Sequence, residues 1–172
     1  MKSLALLTVV ALCLVVSAAD ALAAPTAVVE LRNSSGDGVG TAILTDAPLG
    51  VKIVVGLHGL PPGRHGFHFH NVGRCEAPAF ASAGGHFNPL SKQHGFVNPQ
   101  GIHAGDMPNL IVAADGTVRV EVYAAHVTLG DGPNSLYHPG GTALVVHASA
   151  DDEATDPAGN SGARIACGVI TR

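Results

Sequence analysis

The sequence predicts an all-β domain, and three observations lead there. The 172-residue chain carries 22 glycines and 11 prolines and lacks tryptophan, a composition suited to many short strands joined by turns. Few segments sustain a helical period, whereas short runs rich in Val, Ile, Leu and Thr recur along the chain. Eight of these runs read as strands, and eight strands with long loops between them make a sandwich or a flattened barrel. The length suits one domain with a real core, and no second domain, internal repeat or low-complexity tract is visible.

Taken in chain order, residues 1–23 stand apart. Met1-Lys2, the apolar run Leu4–Ala19 and the small-residue stretch Ala18–Ala24 read as a secretory signal peptide cleaved after Ala23, which leaves residues 24–172 as the mature domain. The apolar run is too short and wrongly flanked for a lasting membrane span. Cys13 offers lipidation as an alternative, but Leu12 is too large for the position ahead of a lipidated cysteine. Strands are then expected at Thr26–Leu31, Val39–Leu44, Val51–Leu57 and Gly66–His70. From Phe87 to Asn109 the interspersed Gly, Pro and Asn are too irregular for helix or strand. Leu110–Ala113 and Val118–Tyr123 flank Asp115-Gly116, a hairpin signal. After the loop Val127–Pro139, Thr142–Val146 reads as a buried strand and Ala166–Ile170 as the last one.

Chemistry concentrates between Phe67 and Asp106, where five histidines and an aspartate fall in metal-ligand spacing. His68 and His70 lie two apart, so a strand points both imidazoles to one face. His86, His94, His103 and Asp106 lie in the irregular stretch, which can gather them by folding back on itself. His147 ends the buried run at Val146 and arrives at an end of the sheet. Three imidazoles and one carboxylate close a tetrahedral zinc site, while four imidazoles suit copper. Two such sites need eight ligands and the chain offers seven, so one histidine must use both ring nitrogens; His86, lying between the groups, is the natural bridge. His65, three before His68, falls on the other strand parity and reads as a structural histidine, His58 reads as a surface or strand-end residue before a turn, and His126 and His138 read as exposed flanks of a loop.

The segments HGFHFH, SAGGHFNP, HAGDMPNL, LVVHASADD and GNSGARIACGVI, in this order, resemble copper/zinc superoxide dismutase over most of the mature chain. The resemblance implies an eight-stranded Greek-key flattened barrel with long metal-binding loops. It implies copper on His68, His70, His86 and His147, and zinc on His86, His94, His103 and Asp106. Asp151 matches an aspartate that links a copper histidine to a zinc histidine, and Arg164 an arginine that guides superoxide. The implied reaction is dismutation to oxygen and hydrogen peroxide by alternate reduction and reoxidation of copper, with His86 carrying a proton. A copper-delivery module would favour Cys and Met over imidazole, and this chain has two Met. A hydrolytic zinc enzyme would need an open zinc position, which the closed set denies.

The formal charge of −4, unchanged when Lys2 and Asp20 leave with the signal, gives no sign of nucleic acid or membrane as a partner. Asp151, Asp152, Glu153 and Asp156 follow His147 without a lysine, which puts lysine-assisted steering of an anion in question. Export leaves Cys75 and Cys167, an even count that predicts one disulfide, with two buried thiols as the alternative. The destination is then the periplasm, cell envelope or exterior. No interface stripe is legible, so the sequence leaves the oligomeric state open.

Overall fold

The computed structural model describes residues 26–172; the expected leader over 1–23 lies outside them. Among the described residues there are nine antiparallel strands: β1 Thr26–Asn33, β2 Gly38–Ala47, β3 Gly50–Leu57, β4 Gly63–His65, β5 Phe67–His70, β6 Leu110–Val112, β7 Val118–Ala124, β8 Thr142–His147 and β9 Arg164–Ile170. Seven of them form one curled sheet in the order β5-β8-β9-β1-β2-β3-β7, and β4 pairs with β6 in a two-stranded ribbon. The crossings from β3 to β7 and from β5 to β8 give the long connections that the eight-strand reading required.

Two details differ from the sequence reading. The ninth strand, β4, exists because Gly63, Arg64 and His65 pair with Val112, Ile111 and Leu110. The Asp115-Gly116 turn forms, with Ala113 N–H donating to the Thr117 carbonyl, but its arms diverge. β7 pairs with β3 along its whole length while β6 turns to β4, so the turn joins two sheets rather than the strands of one hairpin. Asp115 Oδ1 accepts from the Thr117 N–H and hydroxyl, fixing that corner by itself.

The core follows from strand alternation. In β1 Ala27, Val29 and Leu31 are buried and Val28 and Glu30 face out. β5 and β8 are buried on both faces. Phe67 and Phe69 go to the core, each contributing roughly 2–3 kcal/mol by burial, and His68 and His70 take the opposite face. Exposure on neither side explains why Thr142–Val146 reads as an unbroken apolar run.

Cys75 and Cys167 form the disulfide, 92 residues apart, with Cα atoms 5.7 Å apart. It pins the segment after β5 to β9. Closing a loop of this length removes unfolded-state entropy worth about 4–5 kcal/mol in the chain-entropy picture.

Candidate metal centre

The site grows from one end of β5. Its pairing with β8 sets His70 opposite Ala143 and Phe67 opposite Val146, so His147 follows just beyond the ladder. A register shift between Val146 and His147 on the β9 side re-aims that last side chain. The irregular stretch then wraps the same strand: Phe87 N–H donates to the Phe69 carbonyl, Phe69 N–H to Gly105, and Gly105 N–H to Phe87. Gly105 is required there, because a β-carbon would press on the Phe69 carbonyl and on Phe87. These bonds carry His86 and Asp106 alongside His70 and His68.

Two buried groups of four result among the described residues, with a third, His68, His94 and Asp151, between them. Ligand atoms of His68, His70, His86 and His147 lie within 4.8 Å of one another, as do those of His86, His94, His103 and Asp106. His86 belongs to both. In the first group the outer ring nitrogens are already engaged: His68 Nε2 donates to Asp151 Oδ2 at 2.7 Å, His70 Nδ1 to the Gly84 carbonyl at 2.9 Å, and His147 Nδ1 to the Gly162 carbonyl at 3.2 Å. That fixes tautomers so that bare nitrogens face inward. His68 Nδ1 and His86 Nε2 are buried without a partner, and His70 Nε2 faces His147 Nε2 at 3.3 Å. Unpartnered buried nitrogens converging on one point are a cost unless a cation takes them up, so the residues fit a metal ion.

In the second group Asp106 Oδ1 lies 2.9 Å from His86 Nδ1, 3.0 Å from His94 Nδ1 and 3.3 Å from His103 Nδ1. Asp106 Oδ2 accepts the N–H groups of Gly95 and His103, both at 3.0 Å. Three imidazoles and a carboxylate at this spacing suit a closed tetrahedral ion. Asp151 joins the groups, with its Oδ1 accepting from His94 Nε2 at 2.9 Å while Oδ2 holds His68. Gly159, at φ 58°, lies over that carboxylate, where any side chain would collide with it.

Burial pushes His70 down to about 2, His86 to about 4 and His147 to about 3, with neighbouring imidazoles adding to the effect; His68 is lowered likewise. Burial also opposes charge on His94, but its bonds to Asp106 and Asp151 override it and raise the group to about 9. Both of its nitrogens then donate, and a metal at Nδ1 must displace a proton. Burial would lift Asp106 and Asp151, yet the hydrogen bonds they receive hold both well below the carboxylate range.

A cleft of about 460 Å³ opens onto the first group, lined among others by His70, His147, Lys92, Asp156 and Arg164. Arg164 is half-buried; its guanidinium donates to the Phe80 and Gly84 carbonyls, and Gly84 also accepts from His70. Residues beyond the expected set also shape the site. Asn109 accepts from Asp151 N–H at 2.7 Å and donates to its carbonyl at 2.9 Å, and its place in HAGDMPNL was the only signal for it. His65 is buried, outside both groups, its ring spanning the carbonyls of His147 and Pro61 at 2.8 Å each. His58 and His126 are exposed as expected. His138 is instead half-buried and stacks on Phe87, with ring centroids 5.0 Å apart.

These shifts set a pH dependence for the metal-free protein. His68, His70, His86 and His147 are depressed from 6.5, so the unfolded chain binds more protons below 6.5 and stability falls as pH drops through that value. His94 is raised, so its contribution is complete below 6.5 and is lost as pH rises through about 9. Metal-free protein is therefore expected to be most stable near pH 6.5, falling more steeply on the acid side. Urea unfolding across pH checks this, and a steeper alkaline than acid limb would contradict it.

The comparisons with known proteins agree with this geometry. The family described as copper/zinc superoxide dismutase (SODC) matches residues 39–170. A superoxide dismutase [Cu-Zn] of Aquifex aeolicus is 52% identical over 143 residues, spanning 82% of this chain and 84% of its own. The crystal structure of a double mutant of a SOD-like protein from Bacillus subtilis superposes with a TM-score of 0.82 at 45% identity, covering 84% of this chain and 97% of the other. The Cu/Zn superoxide dismutase from Brucella abortus gives a TM-score of 0.70 at 32% identity, over 86% of this chain and 100% of that one. With a family match over most of its length and two buried groups fit for metal ions, the chain belongs to the copper/zinc superoxide dismutases, oxidoreductases that use both metals.

Proposed function

We propose that this chain dismutates superoxide to oxygen and hydrogen peroxide with copper on His68, His70, His86 and His147 and zinc on His86, His94, His103 and Asp106. The observation that carries the reading is His86: its Nδ1 is directed to Asp106 in one group, while its buried Nε2 has no partner and belongs to the other. That placement supports a reading in which one imidazole would serve both cations.

Copper, when bound, supplies alternating one-electron oxidation and reduction of superoxide. The chain's residues do the rest. Arg164 draws the anion into the cleft and orients it, held by the Phe80 and Gly84 carbonyls. His86 Nε2, buried with no protein partner, would carry a proton to the reduced oxygen species whenever copper does not hold that nitrogen, with solvent giving the second. The closed zinc group holds the loop Phe87–Asn109 and fixes the bridging ring.

We also place residues 1–23 as a leader lost on export and 24–172 as the working enzyme, a reading supported by the disulfide. Protein from its native compartment should have an intact mass starting near Ala24 with one disulfide; two free thiols would sink the export argument.

The ligand division has its own test. His147→Ala should abolish dismutation with zinc retained, whereas Asp106→Ala should lower zinc occupancy and reduce activity less. Equal loss of the same metal from both variants would refute the division.

For charge, Arg164→Ala should slow the reaction about tenfold and Arg164→Glu further, within the usual range of electrostatic steering. Added salt should slow the native enzyme more than Arg164→Ala, because screening removes attraction the variant already lacks. Equal rates for native, Ala and Glu proteins, with metals intact, would make Arg164 a bystander.

A further inference from the structure

We infer that Asp156 is a positioning residue of the zinc group, holding His103 by its outer ring nitrogen and His94 by its backbone. The inference rests on the ligand assignment above and extends it by one residue. It begins with a gap in the pattern of outer nitrogens. His68 and His94 are held by Asp151, His70 by the Gly84 carbonyl and His147 by the Gly162 carbonyl. His86 turns one nitrogen to each group. His103 alone is left, since among the described residues its Nε2 makes no hydrogen bond.

The carboxylate paired with this ring on its outer side is that of Asp156, whose Oδ1 lies 3.8 Å from His103 Nε2. The same oxygen accepts the backbone N–H of His94 at 2.7 Å. One carboxylate oxygen therefore bonds the loop at His94 and lies within ion-pair distance of it at His103. The His103 side chain is 6% exposed and that of Asp156 is 48% exposed, so the pair spans the boundary between the buried site and the cleft. At 3.8 Å the carboxylate pairs with the ring by charge only, and the inferred hydrogen bond needs Oδ1 to close by roughly an ångström. Nε2–H donation to a carboxylate commits Nδ1 to the metal and raises its basicity. Asp156 also ties the segment after His147 to the zinc loop, next to a second tie in which Val97 N–H donates to the Glu153 carbonyl.

Zinc affinity measured by chelator competition on the copper-loaded protein tests this, together with the nitrogen-bound proton signal of His103 Nε2 in the zinc-loaded protein. Asp156→Ala should lose about 10- to 100-fold in zinc affinity, the usual effect of removing an outer partner of a ligand. It should also lose the exchange-protected Nε2–H signal. Asp156→Asn, which keeps an oxygen for His94 N–H but lacks the charge, should fall between. Asp152→Ala is the control for loop order, because Asp152 only caps Ala154, Thr155 and Asn160 in the same segment. It should leave zinc affinity near native. Native affinity and an intact Nε2–H signal in Asp156→Ala would overturn the inference, and so would an equal loss in Asp152→Ala. If zinc leaves the ring signals of His86, His94 and His103 unmoved in native protein, the ligand assignment itself falls, and this inference with it.

Discussion

Two carboxylates, Asp106 and Asp151, are buried among the imidazoles, and the functional end of the molecule depends on how they are satisfied. Taking an unpaired carboxylate into such surroundings costs several kcal/mol. Here every oxygen is occupied. Asp106 Oδ1 faces three ring nitrogens and Oδ2 accepts two backbone N–H groups. Asp151 Oδ2 takes His68, and Oδ1 takes His94 together with Glu153 N–H. The two acids thus become fixed points from which loops lacking regular structure acquire shape. Gly95 and His103 hang from one and Glu153 from the other, while the Asn109 amide brackets the backbone of Asp151 itself. A metal ion taken up by either group would replace protons within a frame the carboxylates already hold, and at His94 Nδ1 it would have a proton to displace.

The part of the site built on strands was legible in the sequence, because the two-residue strand period puts His68 and His70 on one face and leaves His147 at the end of a run buried on both sides. For His94, His103 and Asp106 no periodicity exists, and only motif order identified them. What stayed hidden has physical reasons. The carbonyls of Gly84 and Gly162 orient His70 and His147, and a backbone acceptor leaves no mark on residue identity. β4 is three residues long with Arg64 exposed at its centre, so it carries no apolar alternation. The Asp115-Gly116 turn announces a corner but not whether its arms stay paired; β3 and β4 decide that from elsewhere in the chain.

The disulfide reaches the chemistry through a short relay. Cys167 is three residues beyond Arg164 on β9, and Cys75 begins the segment that contains Phe80 and Gly84. The bridge holds that segment against β9, and its carbonyls take the guanidinium on one side and His70 on the other. Arg164 therefore keeps its position relative to His70 through one shared carbonyl. A long side chain that would otherwise sample many rotamers is pre-organised at the cleft.

The run of acids after His147 contains no lysine, which puts lysine-assisted steering in question on sequence alone. In the fold each acid is engaged. Asp151 is buried under the loop with His68 and His94, Asp152 caps a turn through Ala154 and Thr155, Glu153 lies 3.9 Å from Arg64, and Asp156 accepts from His94. Of these four only Asp156 lines the cavity, where Lys92 and Arg164 also stand. Lys92 comes from the loop between His86 and His94, its backbone clamped by the Asn88 side chain at 2.7 and 2.9 Å. A lysine missing from one loop is thus supplied by the other, and the mouth carries two cations against one anion. Because field at close range outweighs net charge beyond the Debye length, an acidic protein can still present an attractive entrance to an anion.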